Sequence, residues 1–254
     1  MNADYPILEF DESREAVIEP HKVLHAADVP LHCVFCFFQE VIARLRDDGR
    51  ARLVTNLTSE MGLHPLYETD VGGRRVAAFH SGVGAPLAAA QLEELIALGC
   101  RKFMVCGGAG VLDRDIAVGH VVVPSAAVRD EGTSYHYLPP AREVQAHPAA
   151  LAAIEGVLRA WGVPYAVGKT WTTDAFYRET RARADRRRAE GCLTVEMEAA
   201  ALLAVAQFRG VPLGVMLYGG DDVSGPEWDH RGWQGRPGTR EQLFYLAAEA
   251  CLAL

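Results

Sequence analysis

Strand-length apolar runs and longer helical stretches alternate along most of this 254-residue chain. The order reads strand at 33–38, helix to 49, strand at 76–80, helix at 85–99, then strands at 103–106 and 118–124. A helix at 148–162, a strand at 165–173, an arginine-rich helix, a strand at 193, a helix following 197, a strand at 211–218 and a terminal helix from 239 complete it. Parallel strands cannot be joined by tight turns and need a crossover, usually helical. The alternation therefore predicts a single-domain, three-layer α/β/α fold with a mixed, largely parallel central sheet. Ligands of such sheets bind beyond the carboxyl ends of strands, so functional residues are expected there. The length suffices for one large core, and no linker, repeat or low-complexity segment interrupts it. The chain is read as one domain over 1–254, with residues 1–30 as a peripheral extension.

A net charge of −8 argues against a nucleic-acid partner, because a phosphate backbone would be repelled. The local exception is Arg178, Arg181, Arg183, Arg186, Arg187 and Arg188. No aromatics interleave from Arg181 onward, and Asp185 and Glu190 dilute the charge, which predicts a solvated surface helix. Cys33 and Cys36 have zinc-knuckle spacing, but strand alternation points their sulfurs to opposite faces and no second pair of that spacing exists, so no metal is expected. The apolar run at 29–38 is too short to span a membrane and contains His32. The acidic start lacks the basic residues of a signal peptide. No membrane partner and a cytoplasmic location are the expectation.

Two acidic clusters stand out. Val195-Glu196-Met197-Glu198-Ala199-Ala200 opens a helix whose buried stripe is Met197, Ala200, Ala201, Ala204, Val205 and Phe208. Carboxylates at a helix start are stabilised by its dipole, so charge decoration alone accounts for part of the pattern. Gly219-Gly220-Asp221-Asp222 follows a strand and brings bare backbone up to two aspartates. Two Gly-rich loops also follow strands: His80-Ser81-Gly82-Val83-Gly84, and Cys106-Gly107-Gly108-Ala109-Gly110. Either suits a cradle of backbone N–H groups for an anion or a hydroxyl-rich ligand. Neither matches a dinucleotide or nucleoside-triphosphate loop.

In order along the chain, these pieces resemble the nucleoside phosphorylase and nucleosidase superfamily. The likeness runs from Gly72 to Gly225. It rests on His80–Pro86, Leu98–Phe103 leading to Gly107–Gly110, Val118–Pro124, Val128–Ser134, Thr173–Tyr177 and the Glu196-Met197-Glu198 helix. The resemblance implies a pentosyltransferase that breaks the N-glycosidic bond of a nucleoside, a purine ahead of uridine, through an oxocarbenium-like transition state. An anion that gains interaction as positive charge develops on the sugar lowers that barrier selectively. Glu198 matches the family glutamate that grips the ribose hydroxyls, with Met197 beneath the sugar and Glu196 in support. Phe176 matches the aromatic residue that stacks on the base. Asp222, beside Asp221, is the expected acid for the leaving base, provided burial or its neighbour raises its pKa.

The chain departs from the phosphorylase pattern at the anion site. The first strand runs into Phe37-Phe38-Gln39-Glu40-Val41 with no arginine, and Val105 stands where phosphorylases carry one. Glu40-Val41 resembles the nucleosidase arrangement, in which Glu40 would partner an attacking water. Arg129 or the arginine helix offers an unfamiliar phosphate site instead. Phosphate and water both stay open as nucleophiles, as does a non-catalytic nucleoside-binding protein. No cofactor is expected beyond inorganic phosphate as co-substrate, and the family implies a homo-oligomer, whether dimer, trimer or hexamer.

Overall fold

The computed structural model describes residues 4–24 and 27–254; residues 1–3 and 25–26 of the N-terminal extension lie outside the described residues. A short helix α1 (Pro20–Val23) precedes β1 (His32–Cys36), α2 (Gln39–Asp47), β2 (Ala51–Ser59), β3 (Gly62–Val71), β4 (Arg74–Phe79) and α3 (Ala85–Leu98). Then come β5 (Lys102–Val111), β6 (Val121–Asp130), β7 (Glu143–Gln145), α4 (Pro148–Ala160), β8 (Tyr165–Thr173), α5 (Arg181–Ala189), β9 (Cys192–Glu196), α6 (Ala199–Arg209), β10 (Leu213–Asp222) and α7 (Pro237–Leu252).

The sheet is mixed. Its parallel centre is β4-β1-β5-β10, and β2 and β3 extend it antiparallel beyond β4. On the other side β10 pairs β6, β6 pairs β8, β8 pairs β9, and β9 returns to β5. These five strands thus close a ring. Two apolar layers cover the two faces. One buries Leu92 and Leu95 of α3 and Leu202 and Val205 of α6 against Phe35, Phe79 and Val105. The other buries Val41 and Leu45 of α2, Ile154 and Leu158 of α4 and Phe244 of α7 against Val34, Met104 and Met216. Cys33 lies in the first layer and Cys36 in the second, as strand alternation requires. Gly214 leaves room for α4 to pack on the sheet: a Cβ there would meet Met104 Sδ at 2.8 Å and Ile154 Cδ1 at 2.9 Å.

The β2–β3 hairpin had no counterpart in the sequence reading. Its pattern is weakly apolar because it sits at the sheet edge, half exposed. Pro65 fits within β3 because the pairing with β4 begins only at Leu66, so the missing N–H costs no rung there. The expected solvated arginine helix is also corrected. In α5, Arg183 and Arg187 both reach Asp130 Oδ2, at 2.7 and 3.1 Å, and lie against the fully buried Trp171 ring. Arg181 donates to Val223 O and Ser224 O, and Arg188 to Leu112 O and Ser224 O. Those arginines clamp the helix to the segment after β10. Among the described residues no helix is long and apolar enough to cross a membrane.

Candidate active site

A cavity of about 870 Å³ opens where the end of β1, the glycine-rich half of β5, the end of β9 and the end of β10 converge. Its wall includes Phe37, Phe38, Gly107, Gly108, Met197, Glu198, Asp221 and Arg240. The segment after β8 adds Phe176, Tyr177 and Glu179, and the segment after β10 adds Trp228 and Trp233.

Glu196 and Glu198 divide their labour at the start of α6. Glu198 occupies the N-cap position yet makes no side-chain cap bond. Glu196 does that work: its Oε2 accepts the N–H groups of Glu198 at 2.7 Å and Ala199 at 2.6 Å, and its Oε1 accepts the Thr172 hydroxyl at 2.6 Å. Thr172 Oγ1 in turn accepts the Ala200 N–H at 2.9 Å. The orphan amides of the first turn are thereby satisfied, and Glu198 is free to face the cavity. Its Oε1 accepts the Gly84 N–H at 2.6 Å. Gly84 sits at φ +108°, a conformation glycine adopts without a steric penalty and one that aims this N–H at the carboxylate. Burial, and then the neighbouring Glu196 carboxylate, push the Glu198 pKa up. Burial likewise pushes Glu196 up, against the hydrogen bonds it receives.

The expected glycine cradles differ from the observed ones. Cys106–Gly110 is a continuation of β5, with Gly107 paired to Leu217 and Gly108 to Tyr218, so its backbone is engaged in the sheet. The missing side chains make room for rings instead. A Cβ on Gly108 would lie 3.0 Å from Tyr218 Cε1 and 3.1 Å from Trp233 Cζ3, and one on Gly107 would lie 3.4 Å from Phe37. Gly219-Gly220-Asp221-Asp222 is likewise the end of β10 rather than a loop beyond it. Ser81 is fully buried, hydrogen-bonded to Gln91 Oε1 at 2.8 Å, and neither it nor Gly82 lines the cavity. From that loop Val83 does.

The aspartate pair separates in the opposite sense to the sequence expectation. Asp222 is turned away from the cavity: its Oδ2 meets Arg231 Nη2 at 2.5 Å and its Oδ1 accepts the Ser224 N–H at 2.7 Å. Burial alone would raise its pKa, but the bonds from Ser224 and the Arg231 charge outweigh it and hold the carboxyl below its usual range. A carboxylate so held is a poor proton donor near neutrality. Asp221 faces the cavity, with Oδ2 accepting the Trp228 indole N–H at 2.7 Å.

Glu40 is not in the cavity wall. Its Oε1 lies 2.6 Å from Arg240 Nη1, and it is Arg240 that reaches the cavity. That guanidinium is buried against Phe38, Tyr218 and Trp233, and its Nε donates to Tyr218 Oη at 3.1 Å. Arg129, weighed as a phosphate ligand, is consumed internally by Ser134 Oγ, Pro139 O and Leu138 O. Phe176 is about half exposed, packs against Tyr177 at 4.0 Å between ring centroids with the rings tilted by 41°, and lines the cavity, as does Met197.

Sequence reasoning missed Arg240, Glu179 and Tyr177. Arg240 lies in the first turn of a terminal helix far from every motif. Glu179 was legible only as a neighbour of Phe176. Chemically, the wall combines aromatic faces, carboxylates and one cation, a composition suited to holding a planar ring beside a centre that becomes positive.

Residues 32–246 match the Phosphorylase superfamily. The guanosine phosphorylase of Halorubrum lacusprofundi is 29% identical over 209 residues, covering 78% of this chain and 81% of that one. The uridine phosphorylase of Thermococcus kodakarensis is 31% identical over 175 residues, covering 61% of this chain and 62% of its own length. Among solved structures, the uridine phosphorylase of Vibrio fischeri ES114 superposes with a TM-score of 0.75 at 24% identity, covering 89% of this chain and 94% of that one. The AMP nucleosidase of Bacteroides thetaiotaomicron superposes with a TM-score of 0.71 at 23% identity, covering 88% and 87%. At these identities the superpositions speak for the fold.

Proposed function

The chain belongs to the Phosphorylase superfamily, and on that premise we propose that it cleaves the N-glycosidic bond of a purine nucleoside and passes the ribosyl group to inorganic phosphate. The observation that carries this reading is the Glu198 carboxylate, left uncommitted to its helix by Glu196 and presented to the cavity beside Met197. As the C1′–N9 bond lengthens, its electron pair leaves with the base and the sugar becomes cationic. Glu198 holds the 2′ and 3′ hydroxyls and stabilises that charge. Phe176 and Tyr177 flank the base. Asp221, in place of Asp222, is the cavity-facing carboxyl set toward N7, where the leaving base takes up a proton, and a phosphate oxygen completes the exchange at C1′. Arg240 is the cavity's basic side chain among the described residues and the cation toward which phosphate is drawn. The names of the relatives, guanosine phosphorylase and uridine phosphorylase, support phosphorolysis.

Hydrolysis is the second reading, and a specific observation favours it. Arg240 is already compensated by Glu40, while Glu179, Glu196, Glu198 and Asp221 surround the same space. A phosphate dianion meets repulsion there that water does not. Incubation with guanosine, inosine, adenosine and uridine, each with and without phosphate, separates the readings. Free base only with phosphate supports phosphorolysis, and base formed regardless of phosphate supports hydrolysis. Binding without turnover identifies a nucleoside-binding protein and removes both.

A further inference from the structure

Glu198 stands at the N-cap of α6, and the side chain of an N-cap residue ordinarily accepts the amide at N2 or N3 of its own helix. The N2 amide here belongs to Ala200, and Thr172 Oγ1 takes it at 2.9 Å. Thr172 is fully buried on β8, in register with Glu196 of β9. Its hydroxyl donates to Glu196 Oε1 at 2.6 Å, so one oxygen both supports that carboxylate and accepts from the helix. The Thr170 hydroxyl is more distant, 3.4 Å from the same carboxylate oxygen.

Loss of the Thr172 hydroxyl leaves two buried groups short. Glu196 Oε1 keeps only the long contact from Thr170, and the Ala200 N–H loses its acceptor. A buried amide without a partner carries its full desolvation cost. Glu198 is the group placed to relieve it: its Oε1 is held by the Gly84 N–H, and the freed amide lies two residues along, where an N-cap side chain normally bonds. Burial, and then the Glu196 charge, push the Glu198 pKa up, so its anion gains from a further donor. Turning to its own helix withdraws the carboxylate from Gly84 and from the cavity.

Resting on the reading of this cavity as a nucleoside cleft, we propose that Thr172 is a positioning residue for the reaction: by taking the N2 amide of α6 it keeps Glu198 from capping its own helix and holds that carboxylate toward the ribose. Thr172 itself is not in the cavity wall, so it acts through Glu198. β8 runs on from Thr172 into the turn that carries Phe176. The same hydroxyl therefore ties the strand leading to the base-stacking ring to the helix that presents the ribose carboxylate.

The test measures kcat and KM for guanosine and inosine, with and without phosphate, in the full chain. Thr172→Val keeps the shape and loses the hydroxyl, and Thr172→Ser keeps the hydroxyl. Thr172→Val should lower kcat at least about tenfold, the scale of a misplaced reacting group, and by more than it raises KM. Thr172→Ser should restore kcat to within about threefold of wild type. In a Glu198→Gln background the valine change should cost less than about twofold more, because the group it acts through is already lost. An equal loss in both backgrounds, a serine variant as impaired as valine, or wild-type kcat in Thr172→Val overturns the proposal. Thr172→Ala gives the same contrast if the valine variant does not fold; failure of both to fold assigns the hydroxyl to stability and overturns it too. If no nucleoside is cleaved, the functional reading fails separately, and calorimetry with guanosine and free guanine tests the positioning. Thr172→Val should then weaken guanosine by about threefold or more, the scale of one hydrogen bond, and leave guanine unchanged. Equal effects on the two, or no binding of guanosine by wild type, overturn it.

Discussion

Glu198 Oε1 and the Gly84 amide nitrogen are 2.6 Å apart, joining the end of β9 to the loop before α3 across 114 residues of sequence. That one contact holds the candidate ribose carboxylate at a fixed height in the cavity. It also sets two opposed expectations for Glu198→Gln. Turnover should fall by about 100-fold or more, the scale of losing a preorganised electrostatic partner of the transition state.

The stability of the same variant should move the other way. The folded-state pKa of Glu198 is raised, by burial first and Glu196 second. Its contribution is therefore fully present below the unfolded value and is lost as pH rises through the raised one. Glu198→Gln and wild type should melt together near pH 4. Near pH 9 the variant should be more stable by on the order of 1 kcal/mol, a Tm rise of about 2–4 °C for a chain of this size. Melting curves at the two pH values check it, and a variant less stable at pH 9 contradicts the assignment.

Asp221→Asn and Asp222→Asn should separate cleanly. The first removes a cavity-facing acid and should depress purine nucleoside turnover about 10- to 1000-fold with little change in Tm. The second leaves Arg231 without its buried partner and should cost about 1–3 kcal/mol of stability, with a smaller effect on turnover per folded molecule. Steady-state kinetics beside thermal melts distinguish them; the reverse pattern would return the acid role to Asp222.

Arg240→Met tests the cation. If phosphate is drawn to this guanidinium, KM for phosphate should rise at least tenfold while KM for the nucleoside changes little, the pattern of lost ground-state binding. Turnover independent of phosphate in both forms would instead favour water.

Gly108→Ala should perturb the wall without touching an ionisable group. The added methyl meets the Tyr218 and Trp233 rings at 3.0 and 3.1 Å. Overpacking of this kind costs about 1–3 kcal/mol, and the displaced Trp233 should raise KM for the nucleoside. Chemical denaturation and initial rates read both effects.

Much of the fold was legible because its buried strands are continuous apolar runs and its helices carry clear stripes. What escaped had weaker patterning for physical reasons. Ala51–Ser59 and Gly62–Val71 are half exposed, so alternation there is diluted. The ring closure depends on two short antiparallel contacts, Gly110 with Val195 and Leu217 with Val122, which no local pattern encodes. In the candidate site, Glu198 and Met197 were legible because a motif carries them, and both line the cavity. Arg240 and Glu179 were not, since their meaning comes from tertiary placement. Which of Asp221 and Asp222 faces the cavity was not legible, because alternation fixes only that they face opposite ways, and Arg231, which takes Asp222, sits in a segment without recognisable pattern.

A ring of strands has no free margin where it closes, so the exposed backbone rims of this sheet fall mainly to β2 and the three-residue β7. Such rims are where one molecule can add to the next by continuing the hydrogen-bond ladder. β7 is too short to template much, and β2 carries a bulge between Leu53 and Thr55 with Arg52 beside it. Bulges and charges are means by which edge strands resist growth into fibres. The irregularity in β2 thus guards against aggregation at the rim that closure of the ring leaves open.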